Sequence, residues 1–113
     1  MEIYIESEEI DDLATDFLTD LISARIEGVR GSRKTKAQPD KLGEPITIAI
    51  LIAISTFATE KLLEFIWKKI SNWIKKKRKP VRLKAKDSQI EITYQMTLSE
   101  GIPSKLKFLV LGK

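Results

Sequence analysis

Residues 46 to 58 read Ile-Thr-Ile-Ala-Ile-Leu-Ile-Ala-Ile-Ser-Thr-Phe-Ala, and the fold hangs on how this run is built. Pro45, just before it, suits the first turn of a helix, and nothing as far as about Lys77 breaks one. The two halves differ. Residues 46–58 are apolar all round, whereas Thr59 to Lys77 is amphipathic, with Leu62, Leu63, Ile66, Ile70, Trp73 and Ile74 along one side. Pro80 ends the pattern. The expectation is one long helix over 45–78, apolar and then basic. At about 1.5 Å per residue it would run to roughly 50 Å, longer than a domain of this size, so it must break or project.

Working outward toward the N-terminus, residues 31–44 hold no apolar periodicity, two Gly, one Pro and four bases, and read as an exposed basic loop. Loops of this length inside a domain are often functional or mobile. A short strand, Ala24 to Arg30, precedes it. Before that, Ile10, Leu13, Ala14, Phe17, Leu18, Leu21 and Ile22 form a continuous helical stripe, opposite Asp11, Asp12, Asp16 and Asp20. Ser7 is placed to cap this helix, and Glu8, Glu9, Asp11 and Asp12 complement its positive end. Ile3 and Ile5 alternate with Glu2, Tyr4 and Glu6, the pattern of a half-buried strand.

On the C-terminal side, Val81, Leu83 and Ala85 alternate with Arg82, Lys84 and Lys86, and Ile90, Ile92, Tyr94 and Met96 with Glu91, Thr93 and Gln95. Asp87 and Ser88 fit the turn between them. Leu106, Phe108 and Val110 alternate with Lys105 and Lys107, suggesting a last strand. The fold class expected is α+β: a small four- or five-stranded sheet with an amphipathic first helix and a long second one, in a single domain spanning residues 1–113.

Composition bounds the function. A chain of 113 residues, 42% apolar and 32% charged, is about one globular domain. No cysteine is present, which excludes disulfides and thiolate sites, and the acidic opening Met-Glu-Ile-Tyr-Ile-Glu is unlike a secretory signal, so a cytoplasmic location is expected. The net charge of +4 hides an asymmetry: residues 1–30 hold nine acids and two bases, giving −7, and residues 31–113 hold seven acids and eighteen bases, giving +11. The acidic part is expected to lie against the basic part, or both charges are simply solvated faces.

Histidine is absent, and no P-loop, GxGxxG, GxSxG or HExxH pattern occurs. Asp12, Asp16 and Asp20 share a helical face, but one turned to water, where nothing would shift a carboxylate pKa; a weak divalent-cation site is the sharper alternative. No enzymatic activity and no cofactor are expected. The chain should act by binding.

The run Lys75, Lys76, Lys77, Arg78 and Lys79, preceded by Trp67 and Trp73, suits phosphate backbones, since clustered cations release counterions and aromatics stack on bases. Trp73, however, falls on the apolar side of its helix. The same cluster beside an apolar helix suits a bilayer interface. Thirteen apolar residues reach only about 20 Å of a hydrocarbon core of about 30 Å, and Glu60, Lys61 and Glu64 would each cost about 3 kcal/mol at its centre. Ile46, Ile50, Ile54, Phe57, Leu62, Phe65, Ile66, Trp67 and Trp73 are the candidate membrane or partner residues of the long helix.

The acidic strand and helix, the short second strand, Pro39-Asp40-Lys41-Leu42-Gly43, the apolar helix ending in Trp73-Ile74 and a basic run, and the paired strands from Val81 together resemble the effector-associated constant component family of bacterial conflict systems. The resemblance covers residues 1 to about 96. The chain departs from the family in having Asp87-Ser88 where a Gly-containing turn is common and in an Ile-rich helix. The resemblance implies a non-enzymatic adaptor of an antiviral system, partnered by a protease or ATPase-type sensor of the same system. A second expectation is a membrane-disrupting effector, soluble until cut in the 31–44 loop at Arg30, Arg33, Lys34, Lys36 or Lys41, that then assembles as a homo-oligomer on an anionic membrane. A basic nucleic-acid-binding module is the third.

Overall fold

The computed structural model describes residues 1–36, 46–99 and 101–112. Strand β1 (Glu2–Glu6) buries Ile3 and Ile5 and leaves Glu2 to water, as its alternation requires. Helix α1 (Ile10–Ala24) buries Ile10, Leu13, Ala14, Phe17 and Leu21. It ends at Arg25, whose left-handed φ of 51° closes the last turn by an N–H donated to Ile22. Ser7 does not cap it: Glu9 stands at the N-cap without a side-chain bond, and the Ser7 hydroxyl donates to the Pro80 carbonyl at 3.0 Å.

The second strand is longer and later than the spacing predicts. Strand β2 runs Val29–Lys36, so the first six residues of the expected 31–44 loop are sheet; residues 37–45 lie outside the described ones. Seven of its eight residues are exposed, which is why no apolar period marks it. Gly31 lets α1 come close: a Cβ there would stand 2.5 Å from Leu18 Cδ2 and 2.7 Å from Leu21 Cδ2.

The expected helix over 45–78 does not form as one element. Residues 46–54 are strand β3 (Ile46–Ile54), and the helix, α2, begins only at Glu60 and ends at Lys77. The physical reason is the even spacing of Ile46, Ile48, Ile50, Ile52 and Ile54, five β-branched residues at period two with smaller residues between most of them. A strand inside a sheet is apolar on its core face and need not be polar on the other, so it passes for a helix that is apolar all round. Thr59 supplies the true helix start, its hydroxyl accepting the Leu62 N–H at 3.4 Å, and Arg78 closes the end with φ 60°. Two elements of ordinary length thus replace the 45–78 helix.

Strand β4 (Val81–Ala85) and strand β5 (Ser88–Ile92) form the expected hairpin, with the turn at Lys86-Asp87 rather than Asp87-Ser88. Tyr94–Thr97 is a single helical turn, α3, not the continuation of a strand. The expected last strand is helix α4 (Ser104–Leu111): the buried residues are Leu106, Leu109 and Val110, a helical spacing, and Phe108 is 61% exposed.

The strands form one antiparallel five-stranded sheet in the order β2-β3-β1-β4-β5. Helix α1 links β1 to β2 and α2 links β3 to β4, each passing one intervening strand. This interleaving is the split-βαβ, ferredoxin-like arrangement, extended by β5 and the C-terminal helices. The helices share one core with the inner sheet face, in which Ile3, Ile5, Ile50, Ile52, Leu83 and Ile92 meet Phe17, Leu62, Ile66, Ile70 and Ile74. Phe17 and Phe65 touch edge to face, centroids 5.2 Å apart. Among the described residues, no helix is long and apolar enough to cross a membrane.

Candidate binding surface

The strand register determines which side chains share the sheet's outer face. Tyr4 lies between Leu51 on one side and Lys84 on the other, with Ser32 beyond Leu51 and Gln89 beyond Lys84. At one end Glu2 pairs with Ala53, with Arg30 beyond it; at the other end Glu6 pairs with Arg82, with Glu91 beyond it. Since cross-strand partners and alternate residues share a face, Tyr4, Leu51 and Ala53 form a half-buried apolar centre. Arg30, Lys34 and Lys36 stand along one side of it, and Arg82 and Lys84 along the other.

A bulge alters the far end of β3. Lys34 pairs with Ala49 and Thr35 with Thr47, so Ile48 has no partner on β2. Ile46 and Ile48 remain 41% and 43% exposed there. Glu6 meets Lys84 at 3.3 Å, a pair open to water that orders the Lys84 stem against Tyr4 more than it stabilises the fold. Glu2, Tyr4, Lys84 and Lys86 line a shallow hollow of about 350 Å³.

The inner, helical side uses up the charges that the sequence offered as sites. Lys69 sits between Asp16, at 3.0 Å, and Asp20. Lys77 meets Asp12 at 2.7 Å and Glu9 at 3.8 Å, and Lys79 meets Glu8 and Glu9, both at 3.3 Å. Arg78 stacks over the Tyr94 ring, 4.0 Å from its centroid. The acidic first part does lie against the basic second part, and the Asp row is paired rather than merely solvated. Of the predicted basic cluster, Lys77, Arg78 and Lys79 are engaged within the chain, while Lys75 and Lys76 stay exposed.

The candidate helix residues scatter. Ile50 and Ile54 are core positions of β3; Leu62, Ile66 and Trp73 are buried in α2; Phe65 and Trp67 pack partly against the core. Phe57, 90% exposed, and Ile46 alone face solvent. The Trp73 Nε1 is buried with no hydrogen-bond partner among the described residues, and nothing in its surroundings explains that. Of the candidate cleavage residues, Arg30, Arg33, Lys34 and Lys36 belong to β2, and Lys41 lies outside the described residues. Arg33 turns inward, to Thr15, to Thr47 at 3.2 Å and to Asp11 at 3.4 Å.

Two predictions follow from these contacts. The Lys77 hydrogen bond, and then its charge, hold the Asp12 carboxyl below its ordinary value of 3.8. Its folded value is below its unfolded one, so the stabilisation is complete above that ordinary value and is lost as pH falls through the lowered one. Asp12→Asn is therefore expected to flatten the acid limb of stability, read as urea midpoints from about pH 5 down to about pH 2, and high salt should shrink the difference.

The second concerns cleavage between β2 and β3. The N-terminal piece would remain held, because β1 lies between β3 and β4 and pairs with both. Nicked protein is expected to elute as one species in size exclusion without denaturant and as two fragments with it.

Comparison with known proteins returns no match: no family model, no curated relative and no solved structure corresponds to this chain.

Proposed function

We propose that the chain is a non-enzymatic binding component, an adaptor of the kind implied by the resemblance to the effector-associated constant component family, and that it holds a protein partner on the open face of its sheet. The observation that supports this is the apolar centre of Tyr4, Leu51 and Ala53 with cations on both flanks. An aromatic and aliphatic centre inside a charged rim is the composition of a protein-binding patch, with the partner's rim acidic. Binding single-stranded nucleic acid calls for successive stacking rings. Tyr4 is the one aromatic among the described residues that the register puts on this face, which favours a protein.

The membrane-disrupting reading rested on an apolar helix over residues 46–58, of which Ile46–Ile54 form the second strand from the sheet's edge. The protein partner fitting the resemblance is a protease or ATPase-type sensor encoded beside this chain. The test is co-expression of the neighbouring gene products with the wild type and with a Tyr4→Ala, Leu51→Arg double variant, followed by size exclusion. A complex of fixed stoichiometry lost in the double variant and kept in Asp16→Asn is expected. A complex indifferent to the double variant, or salt-sensitive binding of RNA or DNA alone, would overturn the reading.

A further inference from the structure

The two edges of the sheet are built differently. Edge strand β2 carries Arg30, Arg33, Lys34 and Lys36, a row of like charges that repels another copy of itself. The other edge, β5, reads Ser88-Gln-Ile-Glu-Ile92 and has one charge, no Pro and no bulge in its pairing with β4. We propose that β5 is the seam of a homodimer: a second copy of this chain adds its own β5 antiparallel to the first, about a two-fold axis at Ile90, doubling the five-stranded sheet.

The register supports this. Ala85 and Ser88 close the two-residue turn, so Ser88, Ile90 and Ile92 direct their main-chain groups to β4, and Gln89 and Glu91 direct theirs outward. No turn, loop or cap hydrogen bond among the described residues reaches those outward groups. With Ile90 on the axis, Gln89 of one copy faces Glu91 of the second, and each such pair exchanges both of its N–H···O bonds. On the open face the Gln89 amide then meets the Glu91 carboxylate, and no like charges stand opposite each other. This is hydrogen-bond complementarity of the strand with itself, without the like-charge repulsion that β2 carries.

The helical side offers the apolar half of the seam. Ile90 pairs with the buried Leu83 and therefore shares the inner face, half-buried. Beside it, Gln89, Ile90, Lys105, Phe108 and Leu109 line an open groove of about 620 Å³ between β5 and α4. Phe108 is 61% exposed on the α4 rim of that groove. Across the axis the two Ile90 side chains meet, and each Phe108 covers the seam from its own copy. The seam runs along the β5 edge, two strands from Tyr4 at the centre assigned to the adaptor's partner, and its variants leave Tyr4 and Leu51 in place, so the two assignments are tested apart.

The test is sedimentation equilibrium of the full chain over a concentration series, with circular dichroism to verify the fold of each variant. The wild type should move from 12.9 kDa toward twice that mass. Gln89→Glu sets two carboxylates opposite each other twice over and should weaken the dimer about tenfold, whereas Gln89→Lys should tighten it. Phe108→Ser should also weaken it. Because the chain has no cysteine, Ile90→Cys provides an independent reading. A non-hydrogen-bonded antiparallel pair has Cα atoms about 4.5 Å apart, within disulfide reach, so oxidation should give a covalent dimer, and Asp20→Cys should not. A wild type that is monomeric at every concentration, a dimer with equal affinity in Gln89→Glu and Gln89→Lys, or a β5 edge protected only in a complex with a different protein would each overturn the proposal.

Discussion

Ile52→Asp is expected to leave the chain unfolded. Ile52 is fully buried in β3, paired with Ile3 on one side and Gly31 on the other. A carboxylate there would stand among the apolar residues of the core, and burying an unpaired charge costs several kcal/mol, a large part of the roughly 5–15 kcal/mol that holds a domain together. Neutralising the acid by a raised pKa would lessen the cost without supplying a hydrogen-bond partner. Leu51→Asp, one residue away but on the open face, should cost less than about 1 kcal/mol. The contrast between adjacent residues is a strand's signature, and urea denaturation of the two variants measures it. Equal losses would contradict the assigned register.

The second large effect is expected at Phe17. Its ring is fully buried, in edge-to-face contact with Phe65, and joins α1 to α2 above the sheet. Phe17→Ala should cost about 3–5 kcal/mol through lost transfer energy and the cavity left between the helices. Asp16→Asn, its neighbour, removes one of the two carboxylates on Lys69 from a site 66% exposed and should change stability by less than about 0.5 kcal/mol. Thermal melts of both variants at equal concentration give the comparison, and a Phe17→Ala loss as small as that of Asp16→Asn would show that the helices do not close over this ring.

The stripe of α1 and the alternation of β1 and β4 were legible in the sequence because each element has one buried and one wet face. β3 was not, since Leu51 and Ala53 make its outer face apolar too, and two apolar faces leave no period to read. Residues 31–36 of β2 escaped for the opposite reason: an edge strand with almost no buried side chain carries no hydrophobic signal. In α4, Lys105 and Lys107 set up an apparent alternation of Leu106, Phe108 and Val110, whereas the core takes Leu106, Leu109 and Val110. The candidate surface was the least legible feature. Tyr4, Leu51 and Lys84 lie on three strands far apart in sequence, and only the register makes them neighbours.

The pairing of the acidic and basic parts was foreseen as a charge balance, but its partners were not, because Lys69 and Lys77 on α2 reach the α1 acids only once the crossing of the two helices is known. That crossing also turns the Asp row from a free polar face into half of an interhelical ion-pair network, with the modest, salt-sensitive value such networks have at a surface.

The open face exists only if residues 46–54 are a strand paired between β2 and β1, and backbone NMR of the uniformly labelled chain in water tests that most directly. The account predicts β-type Cα and Cβ shifts over Ile46–Ile54, cross-strand contacts between Ile3 and Ile52 and between Ile5 and Ile50, and slow amide exchange at the paired positions of β3. Helical shifts continuing unbroken from residue 46 into α2, without contacts to β1, would contradict it.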